Sequence, residues 1–348
     1  PARSMFLAVL AALLQGSPAV AQVTALVGGT VIDGTGRPAV ASGVVIVTGD
    51  RITCVGTSVQ CVVPANARRV DAAGRFITPG LVDAHVHFSQ TGWIDGRPDG
   101  LAAPSLYPYA ETARGLRANP ARWHRSYLCT GITAVFDVGG HPWTTQLPAR
   151  AEGDTLAARV RAAGPLITHA SVPALNLDDD IYTFLPMATL ADIEGSMARL
   201  KAMGAQAVKV WYLAPRANRR EALDARMMEV GAAAKTAGLD LIVHATDLRE
   251  AKAALRAGAV LLVHSVDDQF VDDEFLRQLS ANRAIYAPTL VVGRNWTRAI
   301  ASIALNAPQP IDDPNGCVDS GTVANVANVA PLRALMPEQR RSPAMIFR

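Results

Sequence analysis

Four of the seven histidines in this chain close short apolar runs of the kind that form strands. His85 and His87 stand in Val82-Asp83-Ala84-His85-Val86-His87-Phe88. Alternate residues of a strand project to one face, so these two imidazoles share it. Two neutral imidazoles side by side are half of a metal site. His244 ends the run Leu241-Ile242-Val243, and His264 ends Leu261-Leu262-Val263. One such histidine is ordinarily a satisfied core residue. Four at the carboxyl ends of parallel strands converge on one functional face if the sheet closes. Lys209 is the most telling residue, because Ala207-Val208-Lys209-Val210-Trp211 puts an amine in the middle of a strand that should be buried on both faces. An ammonium there is costly, so it must shed its proton, pair with an acid or be chemically altered. A neutral, desolvated amine can take up carbon dioxide to give a carbamate, whose two oxygens are able to bridge two cations. A barrel lysine paired with a nearby acid, or snorkelling to a strand end, is the structural alternative.

The elements that must position these side chains follow from turn chemistry and period. From Ala25 to Thr78 the pattern is strand and turn, with Gly49-Asp50 and Ala73-Gly74 as turns, which predicts a small β domain over residues 22–79. From Leu81 onward, short apolar strands alternate with helices, the pattern of βαβ units and a parallel sheet. Strands are expected at 81–88, 133–138, 165–168, 207–212, 241–245, 260–266 and 285–290, within a second domain over 80–348. Helices between them stop on glycine, as at Gly204 and Gly238. Thr189, with Asp192 three residues on, caps a helix whose stripe is Leu190, Ile193, Met197 and Leu200. Periodicity alone does not separate a closed barrel from an open sheet.

Residues 1–21 are expected to be an export signal, because Arg3 precedes the apolar run Met5 to Leu14 and Ala19-Val20-Ala21 offers a cleavage site. The run is about half the roughly 20 residues of a membrane span. The mature chain is therefore expected in the periplasm or secreted, with no membrane contact after cleavage. With 33 Lys and Arg against 30 Asp and Glu the net charge is +3, unclustered, which argues against nucleic acid. The composition, 50% hydrophobic and 18% charged, excludes general disorder. In an oxidising compartment Cys54 and Cys61 could close a small loop as a disulfide, whereas Cys129 and Cys317 are expected to be free. The expected partner is a small molecule or short peptide, and assembly into a homo-oligomer is left open.

The chain resembles the metal-dependent amidohydrolase superfamily through Gly29-Thr30-Val31-Ile32-Asp33-Gly34, Gly49-Asp50-Arg51-Ile52, Asp71-Ala72-Ala73-Gly74-Arg75 and, most specifically, Pro79-Gly80-Leu81-Val82-Asp83-Ala84-His85-Val86-His87. The resemblance implies an α/β fold, a TIM-like (β/α)8 barrel with a small β-sandwich. It also implies a site: His85 and His87 on the more buried of two divalent metals, Lys209 as a bridging carbamate, and His244 and His264 on the second metal. The strand-4 lysine is that of the two-metal branch, and zinc is the default on ligand type. A hydroxide held between the metals would attack an amide carbonyl.

The resemblance also implies an aspartate ending strand 8 as proton carrier, and none of the acids after Leu290 follows a strand-like run. Strands 1 to 7 alone are expected, in a truncated barrel of reduced activity. The leading expectation is hydrolysis of amide, dipeptide-like bonds. The alternatives are cyclic-amide or imidazolone hydrolysis or deamination on the same site, and a non-catalytic, degenerate metal-binding homologue. Trp211, Tyr212, His169, His141 and Asp137 lie near strand ends as candidate substrate contacts, and His124 is expected to be structural.

Overall fold

The computed structural model describes residues 22–170, 172–213 and 220–338, and the chain divides after Pro79 into two compact units. The export-signal segment 1–21 lies outside the described residues. In the first unit, β1 (Val23–Val31), β2 (Val40–Thr48), β3 (Arg51–Gly56), β4 (Arg68–Asp71) and β5 (Phe76–Ile77) form one mixed sheet in the order β3-β2-β1-β4, with β5 also on β1. The two-residue turn Gly49-Asp50 joins β2 to β3, and Gly49 takes the positive φ of 61° that such a hairpin turn requires. Alternation sends Ala25, Val44 and Ile46 to one face, where they bury Cys61. Cys54 and Cys61 are joined in a disulfide. A second layer of the expected sandwich is not among the described residues.

The second unit is α/β, with every strand pair parallel. Its strands are β6 (Leu81–Val86), β7 (Ile132–Asp137), β8 (Arg159–Ala162), β9 (Leu166–Thr168), β10 (Phe184–Pro186), β11 (Ala207–Trp211), β12 (Asp240–His244), β13 (Leu261–Val263) and β14 (Ile285–Ala287). Helices α1 (Tyr109–Ala118), α2 (Ala121–Cys129), α3 (Leu147–Ala151), α4 (Leu190–Ala202), α5 (Arg220–Ala237), α6 (Leu248–Arg256) and α7 (Asp273–Ala281) connect them. Two ladders result, β6-β7-β8 and β10-β9-β11-β12-β13-β14. They are stitched together where Gln206 N–H, just before β11, donates to the Ala162 carbonyl of β8, and Gly140 N–H, after β7, to the Gly164 carbonyl just before β9, each at 2.9 Å. The strand expected at 165–168 is thus the second half of an interrupted strand that begins at Arg159. No ladder joins β14 to β6 among the described residues.

Period-2 alternation explains the layers. On β11, Val208 and Val210 pack with Met197 and Leu200 of α4 and Met227 and Val230 of α5. The opposite face carries Ala207, which packs with Ile242, Leu261 and Val263 in a core enclosed by the strands. Lys209 lies on that inner face. Gly204 ends the turn after α4 at a φ of 76°, open to glycine at no steric cost, and returns the chain to β11.

At the start of α4 the Thr189 hydroxyl accepts from Asp192 N–H at 3.1 Å and the Asp192 carboxylate accepts from Thr189 N–H at 2.9 Å, a reciprocal capping box. Thr189→Ala is expected to lower stability by about 1 kcal/mol. Urea unfolding followed by circular dichroism checks this, and an unchanged midpoint would count against the cap.

After β14 the chain turns helical, through α8 (Val291–Leu305), α9 (Ser320–Ala327) and α10 (Val329–Leu335). Ile303, Val326 and Leu332 of these helices bury Trp93 and Ile94 from the loop after β6. Cys129, expected to be free, is joined to Cys317. The correction has a clear physical cause: α2 and the loop before α9 meet in space, where Arg122 pairs with Asp319 and Arg125 donates to the Gly316 carbonyl at 3.1 Å. A partner 188 residues away leaves no local trace in sequence. Among the described residues no helix is long and apolar enough to cross a membrane.

Candidate metal centre and its cavity

His85 belongs to β6 and His87 follows it by one residue, so the strand delivers both imidazoles to the carboxyl end of the sheet. His244 is the last residue of β12 and His264 the first after β13. The structure brings all four together. His85 and His264 ring centres are 4.7 Å apart, His244 and His264 4.3 Å, and His85 and His87 5.2 Å. The parallel strands are therefore arranged so that the end of β6 meets the ends of β12 and β13. Lys209 sits among them with 1% of its surface exposed.

The protonation states follow from burial. Desolvation and then the positive charge of Lys209 hold the His85 imidazole far below its ordinary value, and the same two causes hold His87 down to about 3 and His264 to about 4. Burial, then His264 and Lys209, depress His244 as well. All four are neutral near pH 7. Desolvation pushes the Lys209 amine down from 10.5 to about 7, with the Asp137 carboxylate opposing. The amine is thus substantially unprotonated in neutral solution.

The hydrogen bonds then show where lone pairs point. His87 Nδ1 lies 2.6 Å from the Gly139 carbonyl, an oxygen that can only accept, so Nδ1 carries the proton and Nε2 is left as a lone pair. That Nε2 faces His85 Nε2 at 3.3 Å, while His85 Nδ1 is buried with no partner. Two neutral imidazoles opposed in this way suit a cation between or beside them. Nitrogen donors of this kind, with a buried lysine able to become a carboxylate, fit divalent metals. No three His, Cys, Asp or Glu side chains are gathered as one metal's ligands among the described residues.

Asp137, fully buried at the end of β7, accepts from Phe88 N–H at 3.0 Å and from Gly139 N–H at 3.1 Å. It therefore fixes the residue after His87 and the glycine whose carbonyl orients His87. Burial pushes its carboxyl up to about 7. The His264 backbone has a φ of 76° and that of Thr289 a φ of 46°, both costly for residues other than glycine. Their side chains meet, His264 Nδ1 to Thr289 Oγ1, at 2.9 Å.

The imidazoles and Lys209 open into a cavity of about 1280 Å³, walled by residues that include Arg97, Tyr109, Phe184, Trp211, Thr289 and Trp296. Of the expected substrate contacts, Trp211 is on this wall, stacked on Phe184 with ring centres 4.9 Å apart and planes 14° apart. Tyr212 is not. The next residue along an extended chain faces the other way, and its hydroxyl bonds Asp224 of α5. His169 lies beside Tyr212, ring centres 6.3 Å apart, and is also off the wall. Asp137 and His141 are fully buried behind it, with His141 Nδ1 3.2 Å from the Tyr182 carbonyl. His124 is buried against Phe88, as a structural residue would be. Sequence reasoning did not find Arg97, Tyr109, Phe184, Thr289 or Trp296. Arg97, Tyr109, Phe184 and Thr289 come from loops and element ends with no periodic signal, apart from Pro108, which announces a helix start just before Tyr109, and Trp296 lies within α8, where nothing local marks it as facing the cavity.

No protein-family model matches the chain. Over 146 residues it is 31% identical to an imidazolonepropionase of Streptomyces griseus subsp. griseus, a stretch covering 38% of this chain and 37% of that protein. Over 65 residues it is 43% identical to a 5-methylthioadenosine/S-adenosylhomocysteine deaminase of Symbiobacterium thermophilum, covering 18% of this chain and 15% of that one. The matched segments thus span little more than a third, or less, of these curated relatives. A solved prolidase complexed with N-methylphosphonate-L-proline superposes with a TM-score of 0.61 at 18% identity, over 90% of this chain and 76% of that one. In fold and in these stretches of sequence the chain resembles the amidohydrolase superfamily.

Proposed function

We propose that this chain is a metal-dependent amidohydrolase acting on carbon–nitrogen bonds of small molecules or short peptides. The observation that carries the reading is the convergence of four imidazoles on a fully buried lysine at one end of a parallel sheet. His85 and His87 would hold one divalent cation, His244 and His264 a second, and Lys209, as its carbamate, would lie between them. Zinc is favoured by the donor types. When bound, the cations supply a Lewis acid for the carbonyl and a water that ionises near neutral pH.

The protein's own groups do the rest. Trp211 and Phe184 exclude water from one side of the cavity, Gly139 and Asp137 hold His87 in the donor tautomer, and Thr289 orients His264. The strands β6 to β14 would correspond to strands of a (β/α)8 barrel, and the first unit to one layer of the companion sandwich. An exported, oxidising location is supported by the two disulfides.

The test loads purified protein with zinc and bicarbonate. The expected result is two zinc ions per chain by elemental mass spectrometry, a carbamate resonance from 13C-bicarbonate by NMR, and amide hydrolysis lost on chelation. Stoichiometric metal without hydrolysis of any dipeptide or cyclic amide would favour the degenerate homologue. Selective opening of a cyclic amide would favour the second reading, which the S. griseus relative supports.

A further inference from the structure

Arg97 lies on the loop that follows His87, and its guanidinium is held from two sides. Nε and Nη2 donate to the two Asp99 carboxylate oxygens at 2.8 and 2.6 Å. The Trp296 ring centre is 5.5 Å from the guanidinium carbon. That fork uses one edge of the guanidinium and leaves the Nη1 edge without a protein partner, on a residue of the cavity wall. Its charge is felt at His87, His244 and His264, and at Tyr109 on the same wall. A planar donor pair, already oriented by a carboxylate and an aromatic face, loses little freedom on meeting an anion. The stacked Phe184 and Trp211 rings line the same cavity, with Trp211 edge-on to His244 at 6.0 Å.

We propose that Arg97 is the specificity-determining residue that recognises a carboxylate on the substrate, so that the cavity prefers N-acyl amino acids or dipeptides with a flat or apolar acyl group over neutral amides. The carboxylate meets the free guanidinium edge, the acyl group lies against Phe184 and Trp211, and the amide carbonyl falls between them beside the imidazoles. This deepens the hydrolase reading and rests on it for the identity of the cleaved bond, while the recognition itself needs only the cavity.

The probes are N-benzoylglycine and its neutral counterpart N-benzoylglycinamide, titrated calorimetrically into metal-free protein. The carboxylate probe is expected to bind at least about tenfold more tightly, as a charge-assisted hydrogen bond allows. R97M/D99N, which orphans neither charge, is expected to erase the preference with an unchanged melting curve, and Arg97→Lys to keep part of it. With zinc-loaded protein the same double change should raise KM for N-benzoylglycine far more than it lowers kcat. Equal affinities, a preference that survives R97M/D99N, or no binding of either probe would overturn the proposal. If the zinc-loaded protein keeps the carboxylate preference yet hydrolyses neither the probes nor the dipeptides and cyclic amides of the test above, recognition stands and the hydrolase reading falls instead.

Discussion

Lys209→Met is expected to remove hydrolysis and, in the same protein, to raise stability in the metal-free state. Methionine fills nearly the volume of the lysine stem but offers no amine to carry carbon dioxide and no charge to hold between two cations. The rate should fall at least about a thousandfold, the scale of deleting one charge-stabilising group in a water-excluded site, and zinc content should fall with it. The stability gain arises because Lys209 is 1% exposed and its amine has been pushed down to about 7. A base whose folded pKa lies below its unfolded value gives up protons on folding. Between about 7 and 10.5 the unfolded chain therefore holds more protons, and stability climbs with pH through that window. Below about 7 the penalty is present in full. Lys209→Met should accordingly melt higher than the parent at pH 6, with the difference shrinking by pH 10. Asp137 loses its opposing cation in the variant and is expected to be protonated at pH 6, so it does not reverse the sign. Parallel melts at the two pH values and a zinc assay check both halves. A variant that keeps its zinc and its rate would remove Lys209 from the site.

Opening the Cys129–Cys317 bond is expected to have the largest effect on stability of any single change outside the core. The bridge closes a loop of 188 residues, and the chain-entropy estimate for a loop of that length is about 5 kcal/mol. Domains as a whole are stable by only about 5–15 kcal/mol. Cys129→Ser with Cys317→Ser should therefore shift the denaturant midpoint sharply, and reductant should do the same to the parent. The Cys54–Cys61 bridge, with a separation of 7, is worth about 2 kcal/mol by the same reasoning. The larger bridge also bears on the cavity, because α8 carries Trp296 on its wall and packs with the helices beyond Cys317. Its loss should loosen probe binding before the sheet unfolds. Equal midpoints for both double variants would show that native-state strain or residual structure in the unfolded chain outweighs loop length.

What sequence could reveal was whatever repeats or whatever is chemically out of place. His85 and His87 shared a face because period 2 is a local rule, and Lys209 was conspicuous because an amine does not belong in an apolar run. The capping box at Thr189 was legible for the same local reason. The break between β8 and β9 was not, since each half is short and only their neighbours on either side make them one strand. β10 is a three-residue strand whose Pro186 argues against it locally. Tyr212 follows Trp211 in an extended chain, so alternation alone turns it to the helices, where its hydroxyl bonds Asp224. The Cys129–Cys317 bridge has no local trace for the opposite reason, since nothing within either segment encodes a partner brought near by the whole fold.

The unfavourable dihedrals at His264 and Thr289 have an evolutionary consequence. Glycine would relieve the backbone at either position, but it would also free the unfolded chain and forfeit the His264–Thr289 hydrogen bond. Each such change would discard a working side chain, the imidazole in one case and the hydroxyl that steadies it in the other. The strained backbone at these two positions is kept because the side chains it presents cannot be replaced by glycine.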